Sequence, residues 1–318
     1  MAQSHYFEPN ANRPVVGRFA PSPTGRMHAG NIYAALSAWL VAKSQGGTIV
    51  LRIEDLDRDR SKAEYISAVQ RDFELLGLTW DHGPFFQHDR DEAYLEAFSA
   101  LERRGLVYPC FCTRADLHAA SAPHRGEKFV YPGTCRGLTA EQIAEKSMRR
   151  APAQRLRVPD DTYSFEDMVQ GRYKQNLAHD CGDFLIRRSD QAFAYQLAVV
   201  VDDAAQGVTS IVRGVDLLCS TPQQLYLQEL LGLDHPRYAH IPLLVAEKNR
   251  RLSKRDHDAG IEELLARFKT PAAIIGHIAG ICGLAPTCDP ATPEQLLATF
   301  DVARLPELFG DPVQIAWR

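Results

Sequence analysis

Residues 18–31, RFAPSPTGRMHAGN, constrain the fold more than any other stretch of this chain. An apolar strand over residues 15–20 runs into a loop with Pro21, Pro23 and Gly25, and an apolar helix opens just after His28. Proline stiffens such a loop and glycine lets its backbone approach a ligand closely. The helix start offers unpaired N–H groups and a partial positive charge, both suited to phosphate. His28 on that first turn can donate to a phosphate oxygen, and Gly30 leaves room for a base or ribose. By itself such a loop is more often a plain turn, and its context in the chain decides.

That context alternates strand and helix. Residues 31–45 carry Ile32, Ala35, Leu36, Trp39 and Leu40 at helical spacing and stop at Gly46-Gly47. The run TIVLRIED, residues 48–55, predicts a strand deep in a sheet. A second helix is expected over residues 61–78, with Ser61 as its cap, Glu64 three residues on, and an end near Gly77. This order predicts an α/β fold on a doubly wound parallel sheet, with ligands at the carboxyl ends of the strands. From Leu106 to Cys181 the chain turns rich in Cys, Pro, Arg and Gly, with one clear helix, TAEQIAEKSMRR, and reads as an insertion. Strands are expected to resume at residues 183–189, 193–203 and 208–214, followed by a helix with Pro222 in its first turn. The last stretch reads as helical, with loops at Thr270-Pro271, Pro286 and Pro306.

Bulk properties narrow the class. At 318 residues, 45% hydrophobic and 24% charged, the composition is that of an ordinary globular protein with one large domain or two smaller ones. The first dozen residues show no signal or transit pattern, and no apolar run is long enough to span a membrane. Seven cysteines at uneven spacing point to a reducing, cytoplasmic setting. A net charge of −4 does not suggest a general nucleic-acid coat and leaves room for a local basic patch.

A second motif is RRLSKRD, residues 250–256, in which Arg250, Arg251, Lys254 and Arg255 surround Ser253. It is either a solvated basic loop or a cationic clamp for a polyphosphate leaving group. Taken together, the two motifs resemble a class I aminoacyl-tRNA synthetase of the glutamyl group. His28-Ala29-Gly30-Asn31 is similar to that class's "HIGH" signature, and RLSKR to its "KMSKS" signature in the glutamyl "KLSKR" form. LRIEDLD, VVVDD, IVRGVD, STPQQL and RYAHIPLL resemble further glutamyl-group segments in the same order, from about Val16 to about Asp256.

The resemblance implies a Rossmann-type catalytic domain that activates L-glutamate with ATP. The substrate carboxylate attacks the α-phosphorus, pyrophosphate leaves and an acyl-adenylate remains. No covalent enzyme intermediate forms, so catalysis rests on placement and charge stabilisation. His28 and Lys254 would be the catalytic pair on the triphosphate. Pro21, Gly25, Gly30, Asn31, Arg251 and Ser253 would complete the ATP site, and Mg²⁺ would accompany the nucleotide. Glutamate needs two cations and an anion, which the resemblance assigns to Arg18, Arg213 and Glu54, with Ala20, Ser22 and Tyr195 lining the pocket. Which arginine meets which carboxylate stays open. The competing structural readings pair Glu54 with Arg52 or Arg58, and Arg213 with Asp216. Before VDD, where glutamyl enzymes carry a polar group, this chain reads Leu197-Ala198-Val199-Val200, implying a more apolar pocket floor.

In the insertion, Cys110-Phe111-Cys112 precedes Tyr131 and Cys135. Three thiolates on tetrahedral Zn²⁺ would staple a segment too polar to build its own core, the other reading being three reduced cysteines. On the residues alone the fourth ligand is open among Tyr131, Asp116, His118 and His124; the resemblance implies one structural zinc with tyrosine in that place. Cys181, Cys219, Cys282 and Cys288 read as core or surface thiols. The expected divisions are residues 1–105 and 182–245 as the two halves of the catalytic domain and 106–181 as the zinc-bearing insertion. Residues 246–318 would hold the KLSKR loop and a truncated, helical stem-contact-like region without anticodon-binding domains.

This truncation resembles a subfamily that activates glutamate without tRNA and attaches it to the queuosine base at the wobble position of tRNA(Asp). Expected partners are therefore ATP, L-glutamate and the queuosine-containing anticodon loop, with no membrane, acting as a monomer. The alternative is a shortened glutamyl-tRNA synthetase charging a tRNA 3′ end. Arg149, Arg150, Arg187 and Arg188 are candidates for phosphate contacts with the loop.

Overall fold

The computed structural model describes residues 2–10, 12–113, 116, 130–246, 250–251, 260–309 and 314–317, the side chains of 246, 250 and 251 excepted. His118, His124, Ser253 and Lys254, and the side chain of Arg251, lie outside the described residues.

Two sets of parallel strands form the frame. Val16–Phe19, Thr48–Ile53 and His82–Phe86 pair in parallel, as expected of the first strand–helix–strand unit. Ser210–Gly214, Arg237–Ile241, Thr162–Asp167 and Ser4–Phe7 form the second parallel set, extended by an antiparallel strand, Gly171–Asn176. The sets meet where Val16–Phe19 runs beside Ser210–Gly214, joined by the Thr209 N–H donating to Val16 O at 2.9 Å. Chain order reverses at this line, which in open α/β sheets is where ligands bind. The fold is thus the mostly parallel α/β fold expected.

A separate antiparallel sheet joins Val107–Cys110, Ala153–Leu156 and Phe184–Arg187. The expected bounds of the insertion, 106–181, therefore do not hold. Thr162–Asp167 and Gly171–Asn176 belong to the catalytic sheet, and Phe184–Arg187 belongs to the insertion's sheet, because strand pairing follows the faces that can be covered rather than chain order.

Helix Ala29–Lys43 is buried along nearly all its length, between the sheet and the helices Pro271–Ile281 and Pro293–Leu297. That explains its apolar composition on every face. Gly17 lets the strand approach it: a Cβ there would sit 2.9 Å from the Ala42 Cβ. A second core packs helices Asp91–Arg103, Tyr195–Ala205 and Thr221–Leu231 on the other sheet. Among the described residues no helix is long and apolar enough to cross a membrane.

Two expectations fail locally. The strand expected over residues 193–203 is the helix Tyr195–Ala205. A short apolar β-branched run buried on most sides carries no periodicity that separates strand from helix, and here burial of Leu197, Ala198, Val199 and Val200 decides. Ser61 does not cap the next helix, which spans Ala63–Leu75 behind Lys62 with no side-chain cap. The expected stop holds, with Gly77 left-handed at φ +73°.

Candidate active site

The opening loop is tied to the sheet by the Glu54 N–H donating to Pro21 O at 2.9 Å, so the loop and the end of strand Thr48–Ile53 form one wall. A cavity of about 450 Å³ lies there, at the junction of the two strand sets. Arg18, Ala20, Pro21, Ser22, Asn31, Glu54, Tyr195 and Arg213 all line it. A neighbouring cavity of about 260 Å³ is lined by His28 and Gly30 and shares Asn31, Ala34 and Gly214 with the first. Gly25 lines neither. Leu197, Ala198, Val199 and Val200 sit in the core rather than at the cavity, so they form no apolar floor; Phe73, Val212 and Leu217 supply its apolar lining.

His28 turns out to be the N-cap of helix Ala29–Lys43. Its Nδ1 accepts from the Gly30 N–H at 3.2 Å, while Asn31 Oδ1 accepts from the His28 N–H at 3.2 Å. A ring that accepts through Nδ1 carries its neutral-state proton on Nε2, so the helix start fixes the tautomer. A Cβ at Gly30 would press on the His28 ring at 3.1 Å, so glycine leaves that ring room in its capping position. The helix signature therefore builds its own N-terminal geometry.

Behind the cavity lies a buried charge cluster. Arg52 is fully buried and donates to Asp203 Oδ1 at 2.7 Å, Gln206 Oε1 at 2.9 Å and Glu54 Oε1 at 3.2 Å. Arg18 faces Asp203 Oδ1 at 3.3 Å and donates through Nη1 to Val212 O at 3.4 Å, across the junction. Asp202, next along the helix, accepts from Gln87, Arg90 and Tyr94. Burial opposes the Arg52 charge, but Asp203, Glu54 and Asp202 more than offset it and raise its pKa. Burial raises the Glu54 carboxyl above the usual carboxylate range, against the pull of Arg52 and Arg18. The structural reading of Glu54 as a partner of Arg52 thus holds together with its place on the cavity wall.

Among the described residues, Arg213 hydrogen-bonds to no acid. It donates to His240 Nε2 at 3.0 Å, Thr221 Oγ1 at 2.7 Å and the Tyr195 hydroxyl at 3.4 Å. His240 is fully buried, with Nδ1 2.5 Å from Asp167 Oδ2. Asp203, His240, Asp167 and Thr221 were given no role by sequence reasoning. Three of them stand in segments that carried the family resemblance, VVVDD, RYAHIPLL and STPQQL, whereas Asp167 stands in no motif at all.

In the insertion, the Cys110, Cys112 and Cys135 sulfurs lie within 4.8 Å of one another. The Tyr131 hydroxyl is 3.5 Å from Cys110 Sγ and 3.8 Å from Cys112 Sγ, and Cys112 and Cys135 sulfurs are 3.7 Å apart. Ligands on a tetrahedral zinc with Zn–S of about 2.3 Å stand about 3.8 Å apart, so the donor set fits that ion. Asp116 is engaged instead with the Thr113 N–H and hydroxyl at 2.7 and 2.8 Å. Arg155 donates to Cys110 Sγ at 3.2 Å and stacks 3.6 Å above the Tyr131 ring. Of the other cysteines, Cys282 is buried, Cys288 exposed, and Cys181 and Cys219 lie between.

Another cavity, about 560 Å³, lies beyond Phe193 and includes Arg187 and Arg188, but its acidic residues outnumber its arginines. Arg188 pairs with Asp190, Arg149 with Glu145, and Arg150 donates to Phe111 O. The smaller cavity at the strand junction gathers the chemistry.

Residues 14–282 match the family of class I tRNA synthetases (E and Q), catalytic domain. The fold is that of this class. Crystal structures agree: a glutamate tRNA ligase from Elizabethkingia meningosepticum, in complex with its amino acid, superposes with TM-score 0.79 at 25% identity, covering 95% of this chain and 67% of that one. The glutamyl-Q tRNA(Asp) synthetase of Nitratidesulfovibrio vulgaris is 44% identical over 92% of this chain and 94% of its own length. That of Symbiobacterium thermophilum is 42% identical over 95% and 96%. The chain belongs to the glutamyl-Q tRNA(Asp) synthetase family.

Proposed function

We propose that this protein is a ligase that activates L-glutamate with ATP and transfers it to the queuosine base at the wobble position of tRNA(Asp). The observation that carries the reading is the convergence of Arg18, Arg213 and Glu54 on one cavity beside the His28 helix start. Two guanidinium groups and one carboxylate complement two carboxylates and one ammonium. Arg18 and Arg213 bind the glutamate carboxylates, Glu54 the ammonium, and Ala20, Ser22 and Tyr195 close the pocket around the chain of the substrate.

Pro21, Gly25, Gly30 and Asn31 place the nucleotide against the helix N-terminus, where His28 Nε2–H donates to the triphosphate. Lys254, with Arg251 and Ser253, brings further positive charge to it as the phosphorus–oxygen bond breaks. Mg²⁺ accompanying the nucleotide would supply charge neutralisation on the leaving pyrophosphate. The α-carboxylate oxygen forms its bond to the α-phosphorus as pyrophosphate departs. A ring hydroxyl of queuosine then attacks the acyl carbon and gives its proton to a phosphate oxygen of the adenylate, and AMP leaves with the electrons of the broken C–O bond.

Cys110, Cys112, Cys135 and Tyr131 would hold one structural zinc that pins the segment beside strands Val107–Cys110 and Ala153–Leu156, whereas residues 162–176, expected in the insertion, extend the catalytic sheet. The anticodon-loop reading is favoured over 3′-end charging because relatives named for the former reach 42–44% identity, against 25% for the glutamate tRNA ligase.

The test is transfer of labelled glutamate, with ATP, to tRNA(Asp) with and without queuosine and to tRNA(Glu), each with and without its 3′-terminal adenosine. Label on queuosine-containing tRNA(Asp) alone, retained when the terminal adenosine is missing, is the expected result. Label on tRNA(Glu) that disappears with that adenosine would overturn the reading in favour of 3′-end charging.

A further inference from the structure

We propose that His240, Asp167 and Thr221 are positioning residues that hold the Arg213 guanidinium in the orientation that receives a substrate carboxylate. The inference rests on the reading of Arg213 as part of the glutamate pocket.

A guanidinium has only donors, so the Arg213 Nε–H must donate and His240 Nε2 must accept, at 3.0 Å. The imidazole proton is then on Nδ1, pointing at Asp167 Oδ2 2.5 Å away. Asp167 is fixed in turn by the backbone N–H groups of His240, Val169 and Gln170 at 3.1, 3.0 and 2.9 Å. Thr221 Oγ1 accepts from Arg213 Nη2 at 2.7 Å. Two faces of one planar fork are thereby gripped from two different elements, strand Arg237–Ile241 and helix Thr221–Leu231, which removes rotation of the plane. The carboxylate-bearing side chain that steers the arrangement stands one residue removed from the arginine, with a ring between them.

The intervening ring matters electrostatically. Arg18 is backed directly by an anion, Asp203, at 3.3 Å. Arg213 is backed by a neutral imidazole and a hydroxyl, so more of its charge remains for an incoming carboxylate. The charged and titratable groups around His240 are Asp167, Arg213, Arg18 and the stacked Tyr238 ring. Burial, with Arg213 and Arg18, holds the imidazole pKa below its ordinary value against the pull of Asp167, which keeps Nε2 an acceptor.

The experiment compares His240→Gln with His240→Asn, and Thr221→Ser with Thr221→Val, using KM values for glutamate and ATP in pyrophosphate exchange. Glutamine can still present an oxygen to Arg213, whereas asparagine reaches only towards Asp167; both lose the ring, so cavity effects are shared. His240→Asn and Thr221→Val are expected to raise the glutamate KM about ten-fold, the loss of one charge-assisted bond, with the ATP KM within about two-fold. His240→Gln and Thr221→Ser should return the glutamate KM to within about three-fold of the parent. Arg213→Ala serves as reference. If it raises the glutamate KM while all four variants match the parent, the positioning role is wrong and the pocket stands. Parallel rises in both KM values across all four would show a merely structural role and also overturn it. A normal glutamate KM in Arg213→Ala would remove the pocket reading itself. Should His240→Asn not fold, the Thr221 pair decides alone.

Discussion

Asp203 is the residue on which the pocket's charge balance turns. It is 4% exposed and faces both Arg18 and the fully buried Arg52. Removing one member of a buried ion pair costs about 3–5 kcal/mol, because the remaining charge has no water to fall back on. Asp203→Asn should therefore lower stability by about that amount in denaturant unfolding; a loss below about 1 kcal/mol would mean that water reaches Arg52. Glu54 makes the complementary prediction. Its carboxyl pKa is raised in the folded protein, and only the ionised form attracts an ammonium. Glutamate affinity should be complete above that raised pKa and fall as pH drops through it, at a higher pH than an ordinary carboxylate would give. A KM–pH profile for glutamate tests this, and Glu54→Gln should lack the acid limb. Arg18, Glu54 and Arg213 were legible in the sequence because they stand in motifs. Arg52 was legible as a partner of Glu54 two positions away, but its pairing with Asp203 spans 151 positions, and spacing carries no trace of that.

Elements were legible where the pattern was long. Helix Ala29–Lys43 lies within two residues of its sequence-based bounds, since fifteen residues give the apolar repeat room to show. The run around Val199–Val201 is too short and too buried for that, and β-branched residues misled; its helix is imposed by packing against Asp91–Arg103 and Thr221–Leu231. Helix Pro271–Ile281 shows how closely elements approach. A Cβ on Gly276 would overlap the Asp289 carbonyl, whereas at Gly137 it would meet nothing within 4 Å, on a backbone that is not left-handed. Gly276→Ala should thus cost about 1–3 kcal/mol as an overpacking change. Gly137→Ala should stay within about 0.5 kcal/mol of the parent. Thermal unfolding of the two variants side by side separates steric conflict from a general aversion to alanine.

For the molecule as a whole, the parallel α/β plan was readable from strand–helix alternation, but the strand order was not. Ser4–Phe7 pairs with Thr162–Asp167, and Phe184–Arg187 leaves its sequence neighbours to join the insertion's sheet, because long-range pairing is set by which faces can be covered. Two large cores carry the catalytic frame, while Tyr108, Cys110, Tyr131 and Cys135 form only a small third cluster. Such a cluster is too small to order a segment unaided, so bound metal should supply the difference. Purified protein should contain about one zinc per chain, and chelation should open the insertion to protease while far-UV dichroism barely changes. Metal-free protein with undiminished protease resistance would end that account.

The unequal backing of the two cavity arginines bears on how such a pocket can change over evolution. Exchanging Arg213 for an uncharged residue leaves behind a neutral imidazole and a hydroxyl, which the fold can absorb. Exchanging Arg18 takes a counter-charge away from Asp203, whose other partner, Arg52, is already shared with Glu54. One pole of the pocket is therefore free to drift towards new substrates, and the other is locked to the scaffold. New amino-acid specificities on this frame should arise at position 213 first, with position 18 following only when position 203 changes alongside it.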